Sequence, residues 1–147
     1  MNGCLHRLLP RVVLLLALLP VLYACSEGVG RGSIEPGDRF PVVGVNHVDG
    51  STVDLTSYRG KLLIVHFWAT WCAPCRKEMP LIKSLIAELD SKRYVFVAIS
   101  VDDDLFLLDE FNLRYELSFT NYVDPNREIA EKVLGVNAYP DTFIVDR

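Results

Sequence analysis

Apolar and polar positions along this chain recur with two different periods, and the periods predict which segments are strands and which are helices. Leu62 to Trp68 is almost wholly apolar, and so is Tyr94 to Val101. Runs of that length and composition read as strands covered on both faces. Between them, Met79, Ile82, Leu85, Ile86 and Leu89 form a stripe at helical spacing, which predicts a helix from about Ala73 to Leu89. Pro80 falls inside it and is expected to kink it, because a mid-helix proline removes a hydrogen bond. A second helix is expected over Leu105 to Tyr115, with Asp102-Asp103-Asp104 ahead of it as capping carboxylates. Such an acidic cluster also invites a metal reading. Acids at a helix N-terminus are its ordinary explanation.

The shorter runs complete the pattern. Val42 to Val48, Asp49-Gly50, then Ser51 to Leu55 reads as a β-hairpin, since Asp-Gly between β-prone runs is a strong turn signal. Arg59-Gly60 turns the chain into the first long strand. Phe119 to Val123 predicts a short strand. Asp124-Pro125-Asn126 opens another helix, which ends near Leu134 with Gly135 as the stop. Thr142 to Val145 is the last strand. Strands alternating with helices predict an α/β fold with a parallel core.

The N-terminus changes where such a domain is expected to work. Arg7 and Arg11 precede an apolar run, Val12 to Leu22, that is too short for a confident membrane span and reads as a secretory signal over residues 1–24. Leu22-Tyr23-Ala24-Cys25-Ser26 resembles a bacterial lipobox, in which Cys25 is lipidated and becomes the mature N-terminus. Tyr23 is bulky for that motif. The alternative is an ordinary signal cleaved near Ala24, with Cys25 left as a spare thiol. Residues 25–33, with Gly28, Gly30 and Gly32, read as a flexible tether. Lipid and tether together predict a domain, residues 34–147, held at a membrane surface on the extracytoplasmic, periplasmic side of a bacterial envelope. About 110 residues suffice for one core. The net charge of −4 includes the basic leader, so the domain is more acidic still, and the absence of a basic stripe gives no support to nucleic-acid binding.

Chemistry concentrates at Cys72-Ala73-Pro74-Cys75, where an apolar strand delivers two thiols to the start of a helix. Free backbone N–H groups and the helix dipole favour a thiolate there. Pro74 suits a first turn because its missing N–H is not needed. The pair reads as a redox couple. A zinc half-site would need two further Cys or His ligands. Cys4 and Cys25 lie in the leader, and His6, His47 and His66 are scattered, so no metal is expected. A structural disulfide closing so short a loop would constrain the unfolded chain little.

The segment Phe67-Trp68-Ala69-Thr70-Trp71-Cys72-Ala73-Pro74-Cys75-Arg76-Lys77-Glu78-Met79-Pro80 resembles the active-site segment of the thioredoxin superfamily, in its membrane-tethered TlpA/ResA-like branch. Asp49-Gly50, Arg59-Gly60-Lys61, Val101-Asp102, Asp124-Pro125 and Tyr139-Pro140-Asp141-Thr142-Phe143 extend the likeness from Gly37-Asp38 to the end of the chain. The resemblance implies a thioredoxin-like fold with an N-terminal β-hairpin extension. It implies that Cys72 is an exposed attacking thiol, Cys75 a buried resolving thiol, and Pro140 a cis-proline facing the disulfide. Glu78 matches a glutamate that tunes the pair's proton affinity in ResA-like reductases; its alternative is a water-exposed acid of the first turn. Trp71 either packs beside the pair or is a core aromatic.

Two departures stand out. His66 occupies the place of a buried acid in thioredoxin; it is either a proton shuttle or, more ordinarily, a core histidine satisfied by a backbone hydrogen bond. The family pattern also continues past Asp146-Arg147 with a further strand and a C-terminal helix. The sequence given therefore reads as a thioredoxin-like domain lacking both, with an open sheet edge beside Thr142 to Val145 and a tendency to self-associate. The function expected is extracytoplasmic thiol–disulfide oxidoreductase, as a reductase of protein disulfides in cytochrome c or oxidase assembly. Its expected partners are disulfide-bearing substrate proteins, a membrane electron-donor reductase and the membrane surface, with no organic cofactor. A non-catalytic binding module and an inactive fragment are the rival readings.

Overall fold

A computed structural model describes residues 33–147. The signal, Cys25 and nearly all of the tether lie outside the described residues. Six strands form one mixed sheet in the order β2-β1-β5-β4-β3-β6. They are β1 (Gly44–His47), β2 (Thr52–Asp54), β3 (Leu62–Trp68), β4 (Tyr94–Ser100), β5 (Asn121–Val123) and β6 (Asp141–Val145). β3, β4 and β5 run parallel, whereas β1 pairs antiparallel with β5, and β6 antiparallel with β3. The parallel core and the N-terminal hairpin are as the sequence predicts, with Gly50 taking the positive φ its turn demands. This is a thioredoxin-like α/β fold. β6 occupies one end of the sheet, and its outer edge pairs with no other strand among the described residues.

Two helices sit on the sheet. α1 (Ala73–Glu88) follows β3 and runs as helix through Pro80. α2 (Leu105–Tyr115) follows β4 and ends at Glu116, which takes a left-handed conformation. The third predicted helix differs. Glu128–Val133 is wound as a π-helix, entered through Arg127 at positive φ. Asp124 holds its start, because the carboxylate accepts from the backbone N–H groups of both Glu128 and Ala130.

Alternation along β3 divides its side chains between two faces. Leu63, Val65 and Phe67 point one way, and Phe67 meets Phe143 of β6 edge-on. His66 and Trp68 point toward the helices, where Trp68 packs on Phe111 of α2 and His66 approaches α1. The buried Trp68 ring is polar-satisfied: Nε1 donates to Asn121 Oδ1 at 3.0 Å, and Asn121 in turn donates to Asn112 Oδ1 at 2.8 Å. Burial of this kind fixes the register of β3 and thereby the point at which the chain leaves the sheet for the cysteine pair.

Candidate active site

The loop Ala69–Trp71 carries the chain from the C-terminal end of β3 into α1. Cys72 is the N-cap of α1, in extended conformation, and Pro74 lies in the first turn. Cys72 and Cys75 are joined as a disulfide with Cα atoms 5.3 Å apart. The Cys75 backbone N–H donates to Cys72 Sγ at 3.2 Å. One of the free donors of the helix end is therefore aimed at this sulfur. Opposite it, the Tyr139 carbonyl oxygen lies 3.5 Å from Cys72 Sγ, and the Tyr139–Pro140 peptide is cis. The segment before β6 thus reaches back over the disulfide.

Cys72 is only 5% exposed and Cys75 is fully covered. The order of exposure follows the sequence expectation, but the degree does not. With the disulfide closed, Cys72 is buried, because the Tyr139 carbonyl packs against its sulfur. Trp71 is 55% exposed, which rules out the core-aromatic reading. Its ring meets Tyr139 edge-on at 6.0 Å, so two aromatics from separate loops flank the cysteine pair. The hydroxyl of Tyr139 is buried without a hydrogen-bond partner, and burial raises its pKa.

Asp102 differs from the capping role that the sequence pattern predicts for it. Of the three consecutive acids, only Asp104 caps α2, accepting from the N–H groups of Phe106 and Leu107. Asp103 is exposed and pairs with Arg127 at 3.0 Å. Asp102 is buried and accepts from the Thr70 N–H (3.0 Å), the Thr70 hydroxyl (2.7 Å) and the Ser100 hydroxyl (2.7 Å). It ties the loop before Cys72 to the end of β4. Arg76 completes the clasp by donating to the Thr70 carbonyl at 2.9 Å. The signal available in the sequence was Asp102's position directly after a buried strand, where a capping residue sits one or two places too early.

His66 and Glu78 come together. His66 is buried, and its Nδ1 lies 2.9 Å from the Thr142 hydroxyl, so its partner is a side chain and not the backbone group expected. Its Nε2 lies 3.4 Å from Glu78 Oε1. Burial holds the His66 pKa down to about 4 and raises that of Glu78. Glu78 is not a fully solvated surface acid. Its side chain is 34% exposed while Oε1 is buried. No group of three or more His, Cys, Asp or Glu residues suited to a metal occurs among the described residues.

The comparisons with known proteins agree with this geometry. The AhpC/TSA family profile matches residues 36–147. The thiol-disulfide oxidoreductase ResA of Bacillus thuringiensis subsp. konkukian is 31% identical over 145 residues, covering 97% of this chain and 83% of that one. Among solved structures, a thiol:disulfide interchange protein DsbE of Chlorobium tepidum superposes with a TM-score of 0.70 at 29% identity, covering 78% of this chain and 80% of that one. A secreted disulfide oxidoreductase of Mycobacterium tuberculosis superposes with a TM-score of 0.61 at 26% identity, covering 69% and 74%. By family match, sequence and fold together, the chain belongs to the AhpC/TSA family and, within the thioredoxin superfamily, to the TlpA/ResA-like thiol–disulfide oxidoreductases.

Proposed function

We propose that this chain reduces disulfides in proteins outside the bacterial cytoplasm, with Cys72 as the attacking thiol and Cys75 as the resolving thiol. The observation that carries the assignment is the Cys75 N–H aimed at Cys72 Sγ from the first turn of α1. A thiolate at Cys72 accepts that bond and lies at the positive end of the helix dipole. Cys75 sits inside the helix and is fully covered, so its thiol holds its proton longer. The reaction runs in two exchanges. The Cys72 thiolate attacks a substrate disulfide, forming a mixed disulfide and expelling one substrate thiolate. Cys75 then loses its proton and attacks Cys72 Sγ, which closes the protein disulfide and expels the second. Two electrons pass to the substrate, and a membrane electron-donor reductase returns the protein to the dithiol. Pro74 supports the first turn of α1. Trp71 and the Tyr139-Pro140 segment flank Cys72 and provide the surface on which a substrate protein docks.

The leader supports the compartment. Arg7, Arg11 and the Val12 to Leu22 run read as a signal, and Cys25 as a lipid attachment point, which would hold residues 34–147 at the membrane. The Mycobacterium tuberculosis relative is described as secreted. Resemblance to the ResA-like branch supports a place in cytochrome c maturation.

The experiment is reduction of insulin disulfides by the purified protein, paired with Cys75→Ala. Turnover by the wild type and a trapped mixed disulfide through Cys72 in the variant are expected. Absence of turnover, or a trap that forms through Cys75 in a Cys72→Ala variant instead, overturns the assignment. A reduction potential near those of strong oxidants would turn the direction to oxidation.

A further inference from the structure

Three side-chain polar atoms among the described residues are buried without a hydrogen-bond partner: His66 Nε2, Glu78 Oε1 and the Tyr139 hydroxyl. The first two face each other at 3.4 Å. Three elements meet here. His66 comes from β3, Glu78 from α1, and Thr142, whose hydroxyl lies 2.9 Å from His66 Nδ1, from β6. Thr142 is the direct cross-strand partner of His66. β4 contributes only the ring of Phe96, 5.9 Å from the imidazole centroid, and Ala98 in register. The cations of α1 nearest in sequence, Arg76 and Lys77, are exposed, and Arg76 donates to the Thr70 carbonyl. Asp141 of β6 stands opposite Phe67, one position along. Burial is the cause of the shift at both His66 and Glu78.

We propose that Thr142 and His66 form a hydrogen-bond switch that lets Glu78 take up and release one proton beside Cys75 while the imidazole stays neutral. Two arrangements pair every atom. In one, Glu78 is a carboxylate, His66 carries its proton on Nε2 and donates it to Oε1, and the Thr142 hydroxyl donates to the bare Nδ1. In the other, Glu78 is a carboxylic acid whose O–H donates to the bare Nε2. His66 then carries its proton on Nδ1, and Thr142 Oγ1 accepts. The second arrangement holds one proton more than the first. A hydroxyl serves either way because it is both donor and acceptor. A threonine at this point therefore does what a purely donating or purely accepting side chain would not.

The use of the switch rests on the reading of Cys75 as the resolving thiol. Cys75 and Glu78 are three residues apart on α1 and share a helix face. When Cys75 attacks the mixed disulfide, its proton must leave. The Glu78 carboxylate receives it, and His66 changes tautomer by exchange with water: Nε2 gives up its proton, Nδ1 takes one from the Thr142 hydroxyl, and water at the exposed Thr142 replaces the proton that the hydroxyl gave. The part of the Glu78 side chain open to solvent then passes the proton on. Thr142 and His66 are positioning residues in this scheme, because both act on the sulfurs through Glu78.

The test uses the full chain in two measurements. In the wild type labelled with 15N-histidine, the imidazole nitrogen shifts of His66 are followed across the titration of Glu78. The expected result is a neutral ring throughout, with its proton moving from Nε2 to Nδ1 as Glu78 becomes protonated, and no such exchange in Glu78→Gln. A ring that keeps one nitrogen protonated, or that becomes charged together with Glu78, overturns the switch. The second measurement is reaction of the reduced protein with one equivalent of 5,5′-dithiobis(2-nitrobenzoate). The first coloured thiolate reports attack by Cys72, and the second reports resolution by Cys75. His66→Phe removes the donor to the buried carboxylate, so the pH midpoint of the second phase should rise by ~1 unit while that of the first stays in place. An unmoved second midpoint in a folded variant counts against the switch. Failure of the first phase, or a second phase that persists in Cys75→Ala, instead overturns the roles assigned to the two cysteines.

Discussion

Replacing Asp102 by alanine should destabilise this protein far more than replacing its neighbour Asp103, although both belong to one acidic run. Asp102 is 2% exposed and accepts from three donors: the Thr70 N–H, the Thr70 hydroxyl and the Ser100 hydroxyl. Each bond to a buried carboxylate is worth roughly 1.5–3 kcal/mol net. The two hydroxyls can turn toward other acceptors, but the Thr70 N–H has a fixed direction and is left unpaired. The expected loss is therefore about 3–5 kcal/mol, a large part of the 5–15 kcal/mol that holds a typical domain folded. Asp102→Asn should lose about half as much, because the amide oxygen still accepts while its NH2 group confronts a donor. Asp103→Ala breaks an exposed pair with Arg127 and should change stability by at most ~1 kcal/mol. Urea unfolding of the oxidised protein measures all three. The loop also positions Cys72, so Asp102→Ala should change the alkylation rate of reduced Cys72 and Asp103→Ala should not. An Asp102→Ala midpoint indistinguishable from that of Asp103→Ala would refute the claim that this carboxylate anchors the loop.

In reduced protein, graded alkylation should label Cys72 before Cys75, with the Cys72 pKa below that of an ordinary thiol, since only Cys72 caps the helix; labelling in the reverse order would exchange their roles. His66 stays neutral in the fold down to about pH 4, whereas the unfolded chain binds that proton near pH 6.5. Its contribution to stability is therefore complete above pH 6.5 and falls by roughly 3 kcal/mol as the pH drops to 4. Glu78 opposes this trend, because its raised pKa makes the fold bind a proton more readily on acidification. Stability measured against pH should consequently decline less steeply in His66→Gln than in the wild type between pH 6.5 and 4. Glu78→Gln should alter the pH dependence of thiol reactivity without unfolding the domain, and identical titration curves would make Glu78 a bystander. Cys25→Ser should release the protein from membranes or leave it unprocessed, with mass spectrometry of the mature N-terminus as the direct check.

What the sequence made legible, and what it hid, divides by the range of the forces involved. β3 and α2 lie where the hydrophobic pattern places them, Leu62–Trp68 and Leu105–Tyr115, and α1 differs from the expectation by one residue at its end. These elements are set by local period and by caps within a few residues, both visible in one dimension. The sequence pattern predicts an ordinary helix where Glu128–Val133 is wound as a π-helix. Asp124 stands at its start, as the sequence predicts, but the carboxylate bridges two N–H groups, at Glu128 and Ala130, from a site four to six residues back. That geometry follows from how the loop packs and leaves no periodic trace. The pairing of His66 with Thr142 spans 76 residues, and that of Asp102 with Thr70 spans 32. Each depends on which strands become neighbours, and the sequence announces only a polar residue on a buried element. That anomaly is itself the usable signal. A histidine inside Leu62 to Trp68 and an aspartate directly after Tyr94 to Val101 are costly places for polar groups unless a partner is supplied. At both places the fold supplies one from an element at the cysteine pair: the loop before Cys72 for Asp102, and α1 together with the strand after Pro140 for His66.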